Sequence, residues 1–478
     1  MWKRVCGSRV LHSNVANPGR IQSRNILSAI ATATSAALRT TSLKRFYHED
    51  VVYGYRVPKT LEYTDYTPDQ LRNRQTHSAL VCFVNAYRSI GHRSTDLDPL
   101  GMQKKTAIPE LDPARYGLTN EGQSFNIDGI LSISSSSQPR DAATMAEIHQ
   151  ALKETYSGHV AYEFEHIPDA AVRRWFADYV ETASHEIQVD DAKRRIYLEL
   201  LNILVDLLKY PPRALFHKLQ GHAEFPEDLP ASGDVISHIA NSPSLNYGCK
   251  DNLHVTMLHN PSHLEAVNPV VSGYGRAKQM YLYDNSTDPN CALGDKLIGI
   301  QIHGDAAFTG QGVVMETLGL SNLPHFSLGG TIHLIVNNQI GYTTPATNAR
   351  STMYTSDIAK LVDAPVIHVN GDYPEEVARA MRVAFEYRRL FRRDVIVDLI
   401  TFRRWGHNEL DEPSFTQPLM YNIIRSRESI PKLYERRLKQ DNVVSDEDVK
   451  QMSSLFTGHL EAELDASKGF VPEVGTIL

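Results

Sequence analysis

Two apolar runs in the second half of the chain end on residues that could hold a cation. KLIGIQIH, residues 296–303, stops at Gly304-Asp305 and opens into the Gly-rich stretch AAFTGQG. GTIHLIVNN, residues 330–338, stops at Asn337-Asn338. If both runs are strands of one parallel sheet, their ends lie side by side, and the Asp305 and Asn338 side chains reach one point above it. A carboxylate, an amide oxygen and a backbone carbonyl make a hard, oxygen-only donor set of low charge. That set suits Mg²⁺, which keeps further positions for water and phosphate oxygens. The amides of the loop and the N-terminus of the helix after it would add affinity for an anion. Without further context a Gly-Asp pair or a double asparagine is more often a turn. The stretch is not a Walker loop, because GxxxxGK[ST] is missing, and glycines at 304, 310 and 312 do not have dinucleotide-loop spacing.

The elements that must position these residues follow an alternating pattern. Further strands are predicted at LHVTML (253–258), PVIHVN (365–370) and DVIVDLITF (394–402). Between them, helices are predicted from near Ser262, over GVVMETLGLS (312–321) and over PEEVARAMRVAFEYRRLFRR (374–393). The last is preceded by Asp372 and Glu375, spaced as a capping box. Alternating strands and helices imply an α/β fold with a doubly wound parallel sheet, in which ligands bind at the carboxyl ends of the strands. The first half reads as mostly helical, over 68–87, 142–156, 168–183 and 192–210, the last stopped by Pro211-Pro212. RSIGHRSTDLDPLG (88–101) reads as a loop and SISSSSQPR (132–140) as a linker.

Composition narrows the class further. A net charge of −7 leaves no footprint for nucleic-acid binding, and no apolar run reaches the length of a membrane span. Cys6, Cys82, Cys249 and Cys291 are too scattered for a zinc knuckle or a disulfide framework and fit a reducing interior. Residues 1–48 carry eight Lys or Arg and no acid, interspersed with Ser, Thr, Ala and Leu. This is the pattern of a mitochondrial transit peptide, expected over residues 1–47, with the mature chain in the matrix.

The longer motifs carry a resemblance. HGDAAFTGQGVVMETLGLSNLPHF (303–326) and VNNQIGYTT (336–344) resemble the diphosphate-binding motif of thiamine-diphosphate enzymes. With HNPSHLEAVNPV (259–270), RRWGHNELDEPSFTQPLMY (403–421) and YRSIGHRSTDLDPLG (87–101), they are similar to the E1 component of the 2-oxoglutarate dehydrogenase family, and most to its 2-oxoadipate branch. The resemblance runs from about Val51 to the end of the chain. It implies a transketolase-like sheet domain over 191–432 that lacks its first part. Before it would lie an N-terminal helical segment (48–105) and a linker and helical region (106–190), and after it a helical tail (433–478). Carried over, Asp305 and Asn338 would be Mg²⁺ ligands, with Ile340 giving its carbonyl, and Gly304 and Ala306 would line the cofactor. His407 would border the cofactor diphosphate, and His238 and His263 would face the 2-oxo acid. Asn268 stands where the oxoglutarate branch carries a smaller or acidic side chain, which favours the longer oxoadipate. The implied activity is oxidative decarboxylation of a 2-oxo dicarboxylic acid, with acyl transfer to a lipoylated E2 succinyltransferase, by a homodimer.

Two departures from the family bear on activity. The pyrimidine-binding half, with the glutamate that activates the cofactor, has no counterpart up to Leu478. RRIYLELLNILVDLLKYPPRALF joins two family segments without the HRGR and K-R-x-x-x-E-G motifs between them, and the first strand of the sheet is expected to be lost with these. The alternative is therefore a catalytically incompetent fragment that dimerises or binds E2. A nucleotide-dependent transferase built on the same Gly-Asp stretch has no lysine or second acidic motif to support it.

Overall fold

The computed structural model describes residues 48–49, 52–53, 64–103, 106–135, 138–186, 190–207, 244–245, 253–288, 291–408 and 410–466. The expected transit peptide, Pro211-Pro212 and His238 lie outside the described residues. The chain divides into two compact units, 1–55 and 56–478. In the first, His48–Glu49 pairs antiparallel with Val52–Tyr53.

The second unit begins with α1 (Pro68–Thr76), α2 (Ser78–Ile90), α3 (Met145–Tyr156), strand β1 (Val160–Glu163), α4 (Ala170–Glu186) and α5 (Asp191–Leu207). It continues with α6 (Val267–Asp284), β2 (Gly299–Gly304), α7 (Asp305–Gly310), α8 (Gly312–Leu320) and β3 (Thr331–Asn337). Then come β4 (Val366–Asn370), α9 (Pro374–Phe391), β5 (Val395–Ile400), α10 (Pro418–Ser426), α11 (Ile430–Gln440) and α12 (Asp446–Ala466). The five strands form one sheet in the order β2-β3-β5-β4-β1. Neighbours among β2, β3, β5 and β4 run parallel, and β1 closes one edge antiparallel to β4. The α/β architecture and the helical N-terminal region agree with the sequence, and the antiparallel edge strand is an addition to it. VAYE escaped notice because four residues, all buried, show no period.

Register divides the sheet into two faces. On one, Ile332, Ile367, Val369, Val395 and Val397 join Val160 and Tyr162 in a core with α2, α3, α4 and α9. Each such side chain stabilises the fold by about 1.5–3 kcal/mol. On the other, Ile335, Val366 and Ile396 pack on Phe308, Val314 and Leu318 of α7 and α8. That second face also buries Glu163, His303, His333, Asn337, His368 and Asp398. The loops entering β2 and β3 are fixed by Arg388 of α9, which donates to the carbonyls of Gly330 (2.9 Å), Gly294 (2.7 Å) and Leu297 (2.7 Å).

Several local expectations change. LHVTML contributes a two-residue strand, Leu253–His254, paired with Ser244–Leu245, and stays out of the five-stranded sheet. Helix α6 starts at Val267 rather than near Ser262. The later start keeps Pro269 in the first turn, where its missing N–H removes no bond. The helix over 68–87 is two helices broken at His77, of which α1 buries no residue and α2 buries Leu80, Phe83, Val84 and Tyr87. The Asp372–Glu375 capping box does not form, since α9 has no side-chain cap. Asp372 pairs with Arg427 instead, and Glu375 binds Arg194 (2.8 Å) and the Tyr434 hydroxyl (2.9 Å).

The expected linker is anchored where it begins. Glu181 accepts from Ser132 N (3.0 Å), Tyr156 Oη (2.6 Å) and the buried Arg88 guanidinium (2.9 and 3.0 Å). Removing one partner of a buried ion pair strands the other, at about 3–5 kcal/mol. Glu181→Ala is expected to lower the unfolding free energy by about that much. Asp69→Ala, which breaks the exposed pair with Arg72, should change it by less than about 1 kcal/mol. Urea titration of both variants checks the contrast.

Candidate functional site

Asp305 is the first residue of α7, directly after Gly304, and only 2 % of it is exposed. Its carbonyl accepts from Thr355 Oγ1 at 2.6 Å. The Gly-rich stretch is therefore helical from Asp305 to Gly310 and breaks only at Gln311, instead of forming an open loop. One strand over, β3 ends at Asn337 and the chain turns sharply. Gln339 has φ 65°, its amide donates to Asn337 Oδ1 (3.2 Å), and Ile340 N donates to Asn338 Oδ1 (3.3 Å). The two loops meet at Gly341, where a Cβ would lie 2.6 Å from the Cβ of Ala306. Glycine is needed there for the close approach. The structure thus brings Gly304-Asp305-Ala306 against the Asn338-Gln339-Ile340 turn. Gln339 Nε2 extends the junction to Asp98 Oδ1 (3.2 Å) and the Thr401 carbonyl (3.0 Å).

Beneath this junction runs a buried polar chain that sequence reading missed. Asn337 Nδ2 donates to Asp398 Oδ1 at 3.0 Å. His368 lies between two carboxylates, with Nδ1 2.9 Å from Asp398 Oδ2 and Nε2 2.9 Å from Glu163 Oε1. Burial alone would depress His368, but the two hydrogen bonds and the carboxylate charges raise it to about 9. Next to it, burial pushes His92 down to about 4, and its Nδ1 lies 3.0 Å from the Tyr354 hydroxyl. Lys360 completes the charge set with 2.8 Å to Glu163. A signal was present: each of the apolar runs of β2 to β5 carries a buried His, Asn or Asp in register with one face.

A second buried chain crosses β2 and β3. Glu265 Oε2 lies 2.6 Å from His303 Nδ1, His303 Nε2 3.1 Å from His333 Nδ1, and His333 Nε2 3.4 Å from Asp394 Oδ2. It ties the segment carrying His263 to the strand that leads into Asp305. His263 itself is exposed. Asn268 is buried in the first turn of α6 with its Nδ2 committed to Glu265 at 2.7 Å, so that amide hydrogen bonds within the protein. His407 is exposed, its backbone N–H donates to Asp411 (2.8 Å), and its ring meets Tyr342 edge-on at 4.8 Å. Tyr342 directly follows Ile340-Gly341, and Arg403 Nη2 holds its carbonyl at 3.2 Å. The structure therefore brings His407 beside the turn, while His263 stands on its own segment and His238 lies outside the described residues.

The donor set fits a small hard cation. Burial raises the Asp305 carboxyl to about 6, Arg350 opposes that rise, and Asp398 adds to it. Arg350 is the cation facing it, at 3.9 Å, too far for a hydrogen bond. A carboxylate so poorly compensated gains from a divalent cation, and the Asn338 oxygen keeps a lone pair beyond its bond to Ile340. Among the described residues no group of three or more His, Cys, Asp or Glu side chains could hold a metal ion.

The chain belongs to the dehydrogenase E1 component family, whose model matches residues 197–469. It is 40% identical to the 2-oxoadipate dehydrogenase complex component E1 of Xenopus laevis over 87% of this chain and 52% of that protein. The corresponding component of Mus musculus is 39% identical over 91% and 53%, respectively. A 2-oxoglutarate dehydrogenase E1 component of Brucella anthropi is 36% identical over 82% and 45%. The chain spans about half the length of the curated relatives it matches.

Two pH windows follow from the site. Asp305, raised from 3.8 to about 6, disfavours the metal-free fold once ionised, so its contribution is lost as pH rises through about 6. Asp305→Asn is expected to stabilise the metal-free chain by on the order of 2 kcal/mol at pH 7.5 while abolishing its response to Mg²⁺. Thermal unfolding with and without Mg²⁺ tests both signs. His368, raised from 6.5 to about 9, contributes stability that is full below pH 6.5 and lost as pH rises through 9. The decline between pH 7 and 9.5 should be absent in His368→Gln, which starts from a lower stability.

Proposed function

We propose that this chain carries the Mg²⁺- and diphosphate-holding half of a thiamine-diphosphate-dependent 2-oxo acid dehydrogenase E1 component. The supporting observation is the close approach of Ala306, next to Asp305, to Gly341, which follows the Asn338–Ile340 turn, at the carboxyl ends of neighbouring parallel strands. The Asp305 carboxylate, the Asn338 side-chain oxygen and the Ile340 carbonyl would hold Mg²⁺, with Gly304 and Ala306 against the diphosphate. Bound thiamine diphosphate supplies a ring that stabilises the carbanion left by decarboxylation. This chain's own part is to bind, orient and shield. Asp398 and His368 keep the turn in place, and the packed second face of the sheet excludes water below the site. His407, set on Tyr342, borders the diphosphate; His263 and His238 would meet the carboxylates of the 2-oxo acid, as cations or hydrogen-bond donors.

The names of the relatives favour 2-oxoadipate over 2-oxoglutarate as substrate. Asn268 lends little to that preference, because its amide is bonded to Glu265. The Arg- and Ser-rich first 47 residues support import into the mitochondrial matrix. The acyl acceptor would be the lipoyl arm of an E2 partner, and the active form a homodimer. Calorimetric titration of the purified chain with thiamine diphosphate at saturating Mg²⁺ tests the clamp. Saturable binding that disappears when Mg²⁺ is chelated is expected, and no binding at millimolar cofactor would refute it. Turnover of 2-oxoadipate, followed in parallel, separates a complete enzyme from a site that binds without reacting.

A further inference from the structure

Arg350 has no place in the clamp as the sequence motifs describe it, yet its setting is unusual for a structural arginine. It follows a single helical turn, Ala346–Ala349, that continues from the Ile340–Gly341 and Thr344–Pro345 pairing. That turn packs on α7, so the chain that makes the Asn338–Ile340 turn doubles back and delivers Arg350 to Asp305. The side chain is 11 % exposed, and its Nε and Nη1 find no hydrogen-bond partner among the described residues. Its nearest carboxylate oxygen, Asp305 Oδ2, is 3.9 Å from Nη1.

Burying a guanidinium with two idle donors is unfavourable unless something completes its bonding. Most buried arginines here are completed. Arg88 forks onto Glu181, and Arg388 spends its nitrogens on four carbonyls. Arg350 and Asp305 instead face each other across a gap too wide for a hydrogen bond. A divalent cation on Asp305 and an oxyanion on Arg350 would together satisfy both. The planar fork of donors suits an anion with several oxygens on one centre, which is the geometry of a phosphoryl group.

We infer that Arg350 is a direct ligand of the diphosphate, offering phosphoryl oxygens the Nε and Nη1 donors that the fold leaves idle. The inference rests on the clamp reading above and adds to it an anion-binding residue. It also assigns the two charged side chains separate duties: Asp305 would take the metal, and Arg350 the diphosphate.

The test reads binding rather than turnover. Wild type, Arg350→Gln and Arg350→Lys of the full chain are titrated calorimetrically with Mg²⁺ alone, then with inorganic pyrophosphate and with thiamine diphosphate at saturating Mg²⁺. Loss of charged hydrogen bonds should weaken both diphosphates by roughly tenfold to a hundredfold in Arg350→Gln. Arg350→Lys, a point charge without the fork, should fall between. Affinity for Mg²⁺ alone should stay constant or rise, because a positive neighbour of Asp305 has gone. Diphosphate affinity within twofold of wild type would overturn the inference and leave the clamp standing. An equal loss for Mg²⁺ alone would also overturn it, making Arg350 a scaffold for Asp305. Wild type that binds neither probe overturns the clamp and this inference together. Should Arg350→Gln fail to fold, Arg350→Lys carries the same comparison.

Discussion

The carboxylate of Asp398 has no surface in water, and the region around the site is organised by what that carboxylate must bind. One oxygen takes the Asn337 amide, and the other takes His368, whose second nitrogen reaches Glu163 on the antiparallel edge strand. Four strands are linked in this way through side chains as well as through their backbone ladder. Because a stranded buried charge is far more unfavourable than a paired one, the register of β1, β4, β5 and β3 is held by polar complementarity in addition to apolar packing. Asn337 then fixes the first amide of the turn that follows, so the position of Asn338 and Ile340 is set from within the sheet.

The same arrangement leaves Asp305 poorly compensated. Asp398 repels it, Arg350 stands beyond hydrogen-bond range, and burial removes water. A fold optimised for its own stability would pair this acid or replace it. Retaining it beside an arginine with idle donors means that part of the fold's stability is given up at one point on the carboxyl ends of the strands. This is the usual relation between a binding site and the scaffold around it. The opposite face of the sheet, packed on α2, α3, α4 and α9 by branched and aromatic side chains, supplies the apolar burial that makes this tolerable.

Much of the fold was legible in the sequence for a simple reason. β2 to β5 are short apolar runs bounded by Gly, Asn or Asp, and helices such as α9 have a clear amphipathic period, so local pattern and tertiary role agree. Where they disagree, the sequence misled. LHVTML has a strand's composition and no neighbour in the sheet, VAYE has a neighbour and too few residues to show a period, and Asp372 and Glu375 have capping-box spacing but stronger partners in Arg427, Arg194 and Tyr434. The Gly-rich stretch after Gly304 looked like a loop because two of its residues are glycine, yet α7 forms where Phe308 can bury against the sheet.

By itself the sequence determined the family and the α/β class, since these depend on long motifs and on where apolar runs stop. Only the tertiary structure decided which buried polar groups lie beneath the junction of Asp305 with the Asn338–Ile340 turn. Glu163, His368 and Asp398 are far apart in the chain and ordinary in their local context. They become one chain of hydrogen bonds because three strands pair in a particular register. Arg350 likewise reads as a loop arginine until the chain turns back on Asp305. Spacing along the chain encodes period and motif, but the partner of a buried charge is chosen by strands and loops that meet only after folding.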